Sequence, residues 1–76
     1  MKTIAGRIAI IQEQRFRLIA DNGRGFLFTL PHDSRLTYDD LSRVRDKSQR
    51  LVVEYEGEPN TISAVAAKIH LLPESN

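Results

Sequence analysis

The sequence predicts a small all-β domain with one short helix, closed into a five-stranded barrel. Three observations predict it. The stretch Phe16–Leu30, FRLIADNGRGFLFTL, has the form of a hairpin: two apolar runs joined by Asp21-Asn22-Gly23, residues that tolerate positive φ. The runs Thr3–Gln12, Leu51–Glu56 and Thr61–Leu72 divide by two-residue parity into faces, as side chains do along strands. Finally, a chain of 76 residues without cysteine cannot staple a small core with disulfides, so its stability must come from a well-closed sheet or a tight packing unit, and the strand pattern favours the sheet.

The first strand is expected over Thr3–Gln12. Ile4, Gly6, Ile8 and Ile10 share one face, and Ala5, Arg7, Ala9 and Ile11 the other; the arginine assigns the second set to solvent. Gly6 inside this strand signals a bend or a close backbone approach. Gln12-Glu13-Gln14 is a polar break. The second strand, Arg15–Ala20, points Phe16, Leu18 and Ala20 inward and Arg15, Arg17 and Ile19 outward, because unpaired arginines are too costly to bury in so small a core. Gly25, just past the turn, is a candidate bulge position. The third strand places Phe26, Phe28 and Leu30 inside and Leu27 and Thr29 outside, and Pro31 ends it.

A long connection follows. His32-Asp33-Ser34 reads as loop. Thr37 is suited to cap a short helix over Tyr38–Asp46, with Asp39 and Asp40 at its positive end and Leu41 and Val44 on one face. Such a helix would plug an open end of the barrel. The fourth strand is Leu51–Glu56, with Leu51, Val53 and Tyr55 inside. After a turn at Gly57-Glu58-Pro59-Asn60, Thr61–Leu72 is expected as the fifth strand, with Val65, Ala67, Ile69 and Leu71 on one face. Its ISAVAAKIHLL segment also fits a helix; β-branched residues and the need to close the barrel favour strand.

One domain is expected over residues 1–72, with 73–76 as a disordered tail. No apolar run approaches the ~18 residues that would span a bilayer. Met1-Lys2-Thr3 leads directly into the strand pattern, without the apolar core of a signal peptide. Together with the absence of cysteine, this points to the cytoplasm and to no membrane association. The net charge is only +1, but it is unevenly spread: residues 1–27 carry +3, residues 28–50 carry +1 and residues 51–76 carry −3. A barrel made from this chain has a basic and an acidic pole, either of which is a solvated face or a contact surface.

The order β-β-β-helix-β-β, with a tight second connection and a helical third one, is that of a five-stranded OB-type barrel, closed or partly open. Gly6-Arg7-Ile8-Ala9-Ile10 resembles the opening strand of cold-shock domains, and Phe26-Leu27-Phe28-Thr29-Leu30 their third strand. Val52-Val53-Glu54-Tyr55-Glu56-Gly57 with Ala64-Val65-Ala66 resembles their closing hairpin. Phe16-Arg17-Leu18 through Asn22-Gly23 is similar to the corresponding hairpin of bacterial translation initiation factor one. The resemblance covers residues 4–70 as pattern. It implies an OB-like, cold-shock-like fold and single-stranded nucleic-acid binding. Cold-shock domains, however, stack bases on outward aromatics of strands two and three; here those positions hold Arg17, Ile19, Leu27 and Thr29. Base stacking contributes about 1–3 kcal/mol per base, so that source of affinity is missing.

Catalytic chemistry finds little support. Adjacent residues such as His32-Asp33-Ser34 cannot aim at one another as a triad. The two histidines, His32 and His70, lie on different elements and have no cysteine to join them. Asn22-Gly23-Arg24-Gly25 lies in a hairpin rather than before a helix, unlike a phosphate loop. Glu54, Glu56 and Glu58 form an acidic stripe suited to a solvated edge. No enzyme activity, metal or cofactor is expected. The candidate site is Arg7, Arg15, Arg17 and Arg24 with Ile19, Leu27 and Thr29, a basic sheet face able to contact phosphates without reading bases. The expected partner is single-stranded RNA or DNA. The alternative is a protein-interaction or accessory module that binds an acidic protein or a second copy of itself.

Overall fold

A computed structural model of the protein describes residues 2–13, 15–31, 35–58 and 64–73. Five strands and one helix run β1 (Lys2–Gln12), β2 (Arg15–Ala20), β3 (Gly25–Thr29), α1 (Tyr38–Asp46), β4 (Leu51–Glu56) and β5 (Val65–Leu71). The strands close into a barrel in the order β1-β2-β3-β5-β4. All neighbours are antiparallel except β3 and β5, which run parallel and join through one pair, Thr29 opposite Val65. This layout is compatible with an OB-type barrel.

Closure depends on β1. Its first half, Lys2 to Gly6, pairs with β4, and its second half, Gly6 to Gln12, pairs with β2. Gly6 belongs to both ladders, opposite Leu51 on one side and Ala20 on the other. A side chain there has no room: a Cβ would lie 2.2 Å from the Ile19 carbonyl oxygen and 2.8 Å from the Ala20 Cα. The glycine expected at a close approach is therefore where β1 passes from one neighbour to the other.

The core follows the alternation expected for β2 and β4. Phe16, Leu18 and Ala20 are buried on β2, as are Leu51, Val53 and Tyr55 on β4. Phe28 of β3 and Leu30 just past its end are buried, and Phe26 packs partly buried against the core. Burying each large apolar side chain contributes about 1.5–3 kcal/mol relative to exposure. Phe28 is central, with its ring 5.7 Å from that of Phe16 and 5.1 Å from that of Tyr55, both tilted. Such pairs add about 0.5–1.5 kcal/mol beyond their area. Leu41 and Val44 of α1 join the core on the face expected of them, and the helix packs against β1.

Two expected faces are corrected. On β1 the register shifts between Ile8 and Ile10, so that Ala9 is an extra residue in the ladder. Side-chain parity reverses beyond it: Ile10 turns out to solvent and Ile11 turns in against the core. On β5 the register shifts opposite Glu54 and Tyr55, where Ala67 is the extra residue. Ala64 and Ala66 are buried before it and Ile69 packs inward after it, whereas Ala67 and Leu71 are exposed. Val65 is half-buried. The segment is a strand and not a helix, and its expected start, residues 61–63, lies outside the described residues. So do the His32-Asp33-Ser34 loop and the end of the expected tail, residues 74–76. Gly25 is not a bulge, since β2 and β3 pair without a shift.

The helix begins at a reciprocal cap. The Thr37 hydroxyl accepts from the Asp40 backbone N–H at 3.3 Å, and the Asp40 carboxylate accepts from the Thr37 N–H at 2.9 Å. The Thr37 backbone N–H, then its hydroxyl, hold the Asp40 carboxyl below its usual range. After α1, Ser48 adopts a left-handed φ of 52° and turns the chain toward β4.

Two outcomes test this account of the fold. Gly6→Ala forces the β1 and β2 backbones apart and should destabilise the protein by about 3 kcal/mol, measured by urea unfolding. A near-neutral effect would show that β1 does not make this approach. Thr37→Ala removes one half of the cap and should cost about 1 kcal/mol in the same measurement.

Candidate nucleic-acid interface

The outward face of β1, β2 and β3 brings the expected residues into three rows. Gln12, Arg15 and Thr29 face one another across the strands; Ile10, Arg17 and Leu27 form the next row; Arg7, Ile19 and Gly25 form the third. Arg15, Arg17 and Ile19 are exposed, as parity on β2 requires. Leu27 and Thr29 are half-buried. Arg17 is central, and its guanidinium lies along the face toward the hairpin tip. It occupies the space above Gly25, where a Cβ would come within 2.8 Å of its Nε and Nη2. An open groove of about 310 Å³ runs beside it, lined by Ile10, Gln12, Arg15, Phe16, Arg17 and Leu27.

The hairpin tip carries Arg24. Gly23 takes the positive φ of 88° that the turn demands, its N–H bonded to the Ala20 carbonyl at 2.8 Å. The Asn22 side-chain oxygen accepts from the Arg24 N–H at 3.0 Å, which fixes the turn locally. Asp21, the acid of the turn, is held by Arg50: the guanidinium Nε lies 3.0 Å and 3.1 Å from its two carboxylate oxygens, and Nη2 makes a further contact. Arg50, through its hydrogen bonds and charge, and Arg7, through charge alone, keep the Asp21 carboxyl below its ordinary range; the same pairing raises Arg50. Arg7 itself is exposed and directs Nε to the Ser48 carbonyl at 2.9 Å, tethering the end of α1 to β1.

The arginines differ in whether a carboxylate answers them. Arg43, Arg45 and Arg50 pair with Asp40, Asp46 and Asp21. Arg15, Arg17 and Arg24 have no carboxylate partner among the described residues. Ile10 and Gln12 also belong to this face, which strict alternation along β1 does not predict. The Ile10-Ile11 doublet, which breaks the alternation begun by Ile8, is the sequence signal that marks the change of parity. Across the barrel, Glu54 of β4 contacts His70 of β5, and this contact, then Lys68, lowers the Glu54 carboxyl. Among the described residues, no three His, Cys, Asp or Glu side chains gather as a metal site.

No helix is long and apolar enough to cross a membrane among the described residues. Compared with protein-family models, curated proteins and solved structures, the chain matches none of them.

The Asp21–Arg50 clasp gives a measurable titration. Asp21 ionises at lower pH in the folded chain than in the unfolded one. Its contribution to stability is thus complete above the ordinary carboxylate pKa and is lost as pH falls through the lowered value. In Arg50→Gln the NMR titration midpoint of the Asp21 carboxyl should move up toward the ordinary value; an unmoved midpoint would show that Arg50 is not the cause.

Proposed function

We propose that this barrel is a binding module, not an enzyme, which holds the backbone of single-stranded nucleic acid, RNA in the first instance, on the β1–β3 face. The observation that carries this reading is the division of the arginines. Those of the helix and its exit are matched with carboxylates, whereas Arg15 and Arg17 on the outward face and Arg24 at the hairpin tip have no carboxylate partner among the described residues. Guanidinium groups so placed suit phosphate oxygens. The resemblance to cold-shock domains and to initiation factor one enters through residue pattern and strand order. The mode of binding differs from theirs: Phe16 and Phe28 are in the core, so no aromatic platform is available from them and base selectivity is low. The absence of cysteine fits the cytoplasm as the place of action.

The exposed Ile10 and Ile19 favour a second reading, in which the same face meets an acidic protein or a second copy of the chain through apolar contact ringed by arginine.

Anisotropy of a labelled single-stranded oligouridine, titrated over a series of salt concentrations, separates the two. Binding should weaken steeply with salt. The double variant Arg15→Ala/Arg17→Ala should reduce the logarithmic salt slope by about 1.4, at about 0.7 for each phosphate that is no longer neutralised. Arg43→Ala/Arg45→Ala should leave it nearly unchanged. Absence of binding at low salt would overturn the nucleic-acid reading.

A further inference from the structure

A second surface with unanswered bonding capacity among the described residues is an edge of the barrel. β3 and β5 meet at Thr29 and Val65, where the Thr29 N–H also bonds to the Ala64 carbonyl at 2.9 Å. Beyond that point β3 ends and Pro31 follows, while β5 continues to Leu71 with β4 on one side only. Hydrogen bonding to β4 alternates along β5. The Leu72 N–H donates to the Arg50 carbonyl at 3.0 Å, which assigns Leu72, His70 and Lys68 to the pairs bonded to β4. Ile69 and Leu71 therefore turn their N–H and C=O groups away from β4. No described residue answers them.

An open groove of about 490 Å³ runs along this edge, lined by Pro31, Arg35, Leu36, Ala67, Lys68, Ile69 and His70. Pro31, Leu36, Ala67 and Ile69 supply apolar surface, and Arg35 and Lys68 supply charge. Arg35 has no carboxylate partner among the described residues, and the Glu54 carboxylate near Lys68 is engaged by His70.

We propose that this edge takes up an extended acidic peptide as an added strand. Its backbone pairs with Ile69 and Leu71, alternate apolar side chains rest on the groove, and carboxylates lie against Arg35 and Lys68. Charge complementarity selects this occupant. A second copy paired edge to edge would bring its own Lys68 against this basic rim, and the Ala67 bulge together with a lysine is the kind of feature that keeps edges from pairing with their own kind. The site shares no residue with the arginine face and goes beyond the nucleic-acid reading.

The probe is a capped synthetic peptide of alternating valine and glutamate, titrated into labelled protein and followed by NMR. The expected result is amide shifts centred on residues 66–71 and 35–36, with hydrogen exchange at Ile69 and Leu71 slowed by bound peptide. Arg35→Glu/Lys68→Glu should weaken binding on the order of tenfold. The decisive measurement leaves the protein untouched. N-methylation of one alternate set of peptide nitrogens should abolish binding, and methylation of the other set should preserve it. Equal binding by the two methylated peptides, or no binding by the parent peptide, would overturn the proposal. So would an oligouridine that displaces the peptide from these same residues, or concentration-dependent self-association that slows exchange at Ile69 and Leu71 without peptide.

Discussion

The barrel depends on one backbone contact, that of Gly6 with β2. A five-stranded sheet closes only if one strand serves two neighbours that diverge from each other. β1 does so by pairing with β4 along its first half and with β2 along its second. At the residue common to both ladders, the Ile19 carbonyl sits where a Cβ would stand. Any side chain would separate β1 from β2, and with them the face on which Arg7 stands opposite Ile19 and Ile10 opposite Arg17. The fold and the candidate interface share this single geometric requirement.

Most of the architecture is legible because side-chain parity and charge agree on β2 and β4. Arg15 and Arg17 cannot be buried, so Phe16 and Leu18 must be; Glu54 and Glu56 impose the same choice on Tyr55 and Val53. The helix is legible because Thr37, Asp40, Leu41 and Val44 each stand where cap and core require. What the sequence does not disclose lies at two inserted residues, Ala9 and Ala67. A bulge reverses parity for all that follows it, and alanine, small and weakly committed to either face, gives no signal of its own. Alternation alone therefore places Ile10 inward and Ile11 outward, the reverse of what closure requires. The candidate site is legible for its arginines, whereas Ile10 is marked only by the Ile10-Ile11 doublet, which alternation alone reads the wrong way. The Asp21–Arg50 clasp joins residues far apart in the chain, and no local pattern predicts it.

Electrostatics gives the arginines different tasks although their chemistry is the same. Arg50 and Arg7 fasten parts of the structure to one another: the first holds the hairpin turn against the start of β4, and the second holds β1 against the exit of α1. Such exposed pairs contribute little energy individually. Their consequence is local. By occupying Asp21, Arg50 removes the one carboxylate of the hairpin turn from reach of Arg24. The positive character of the β1–β3 face therefore follows from where the acids are engaged as much as from where the arginines stand, which a net charge of +1 conceals.

The two surfaces offer a partner different kinds of chemistry. At the centre of the β1–β3 face β2 is paired on both sides, so recognition there must come from side chains: guanidinium groups with isoleucine and leucine between them. Along β5 beyond Val65 no described residue pairs with the backbone on one side, and the side chains serve mainly to limit what can pair with it. This contrast originates in barrel closure. Because β3 and β5 meet through one residue pair, the ring closes while leaving a strand edge that no described residue pairs with. Pairing the full length of β3 with β5 would remove that edge. The face proposed for phosphates and the edge proposed for a peptide share no residues.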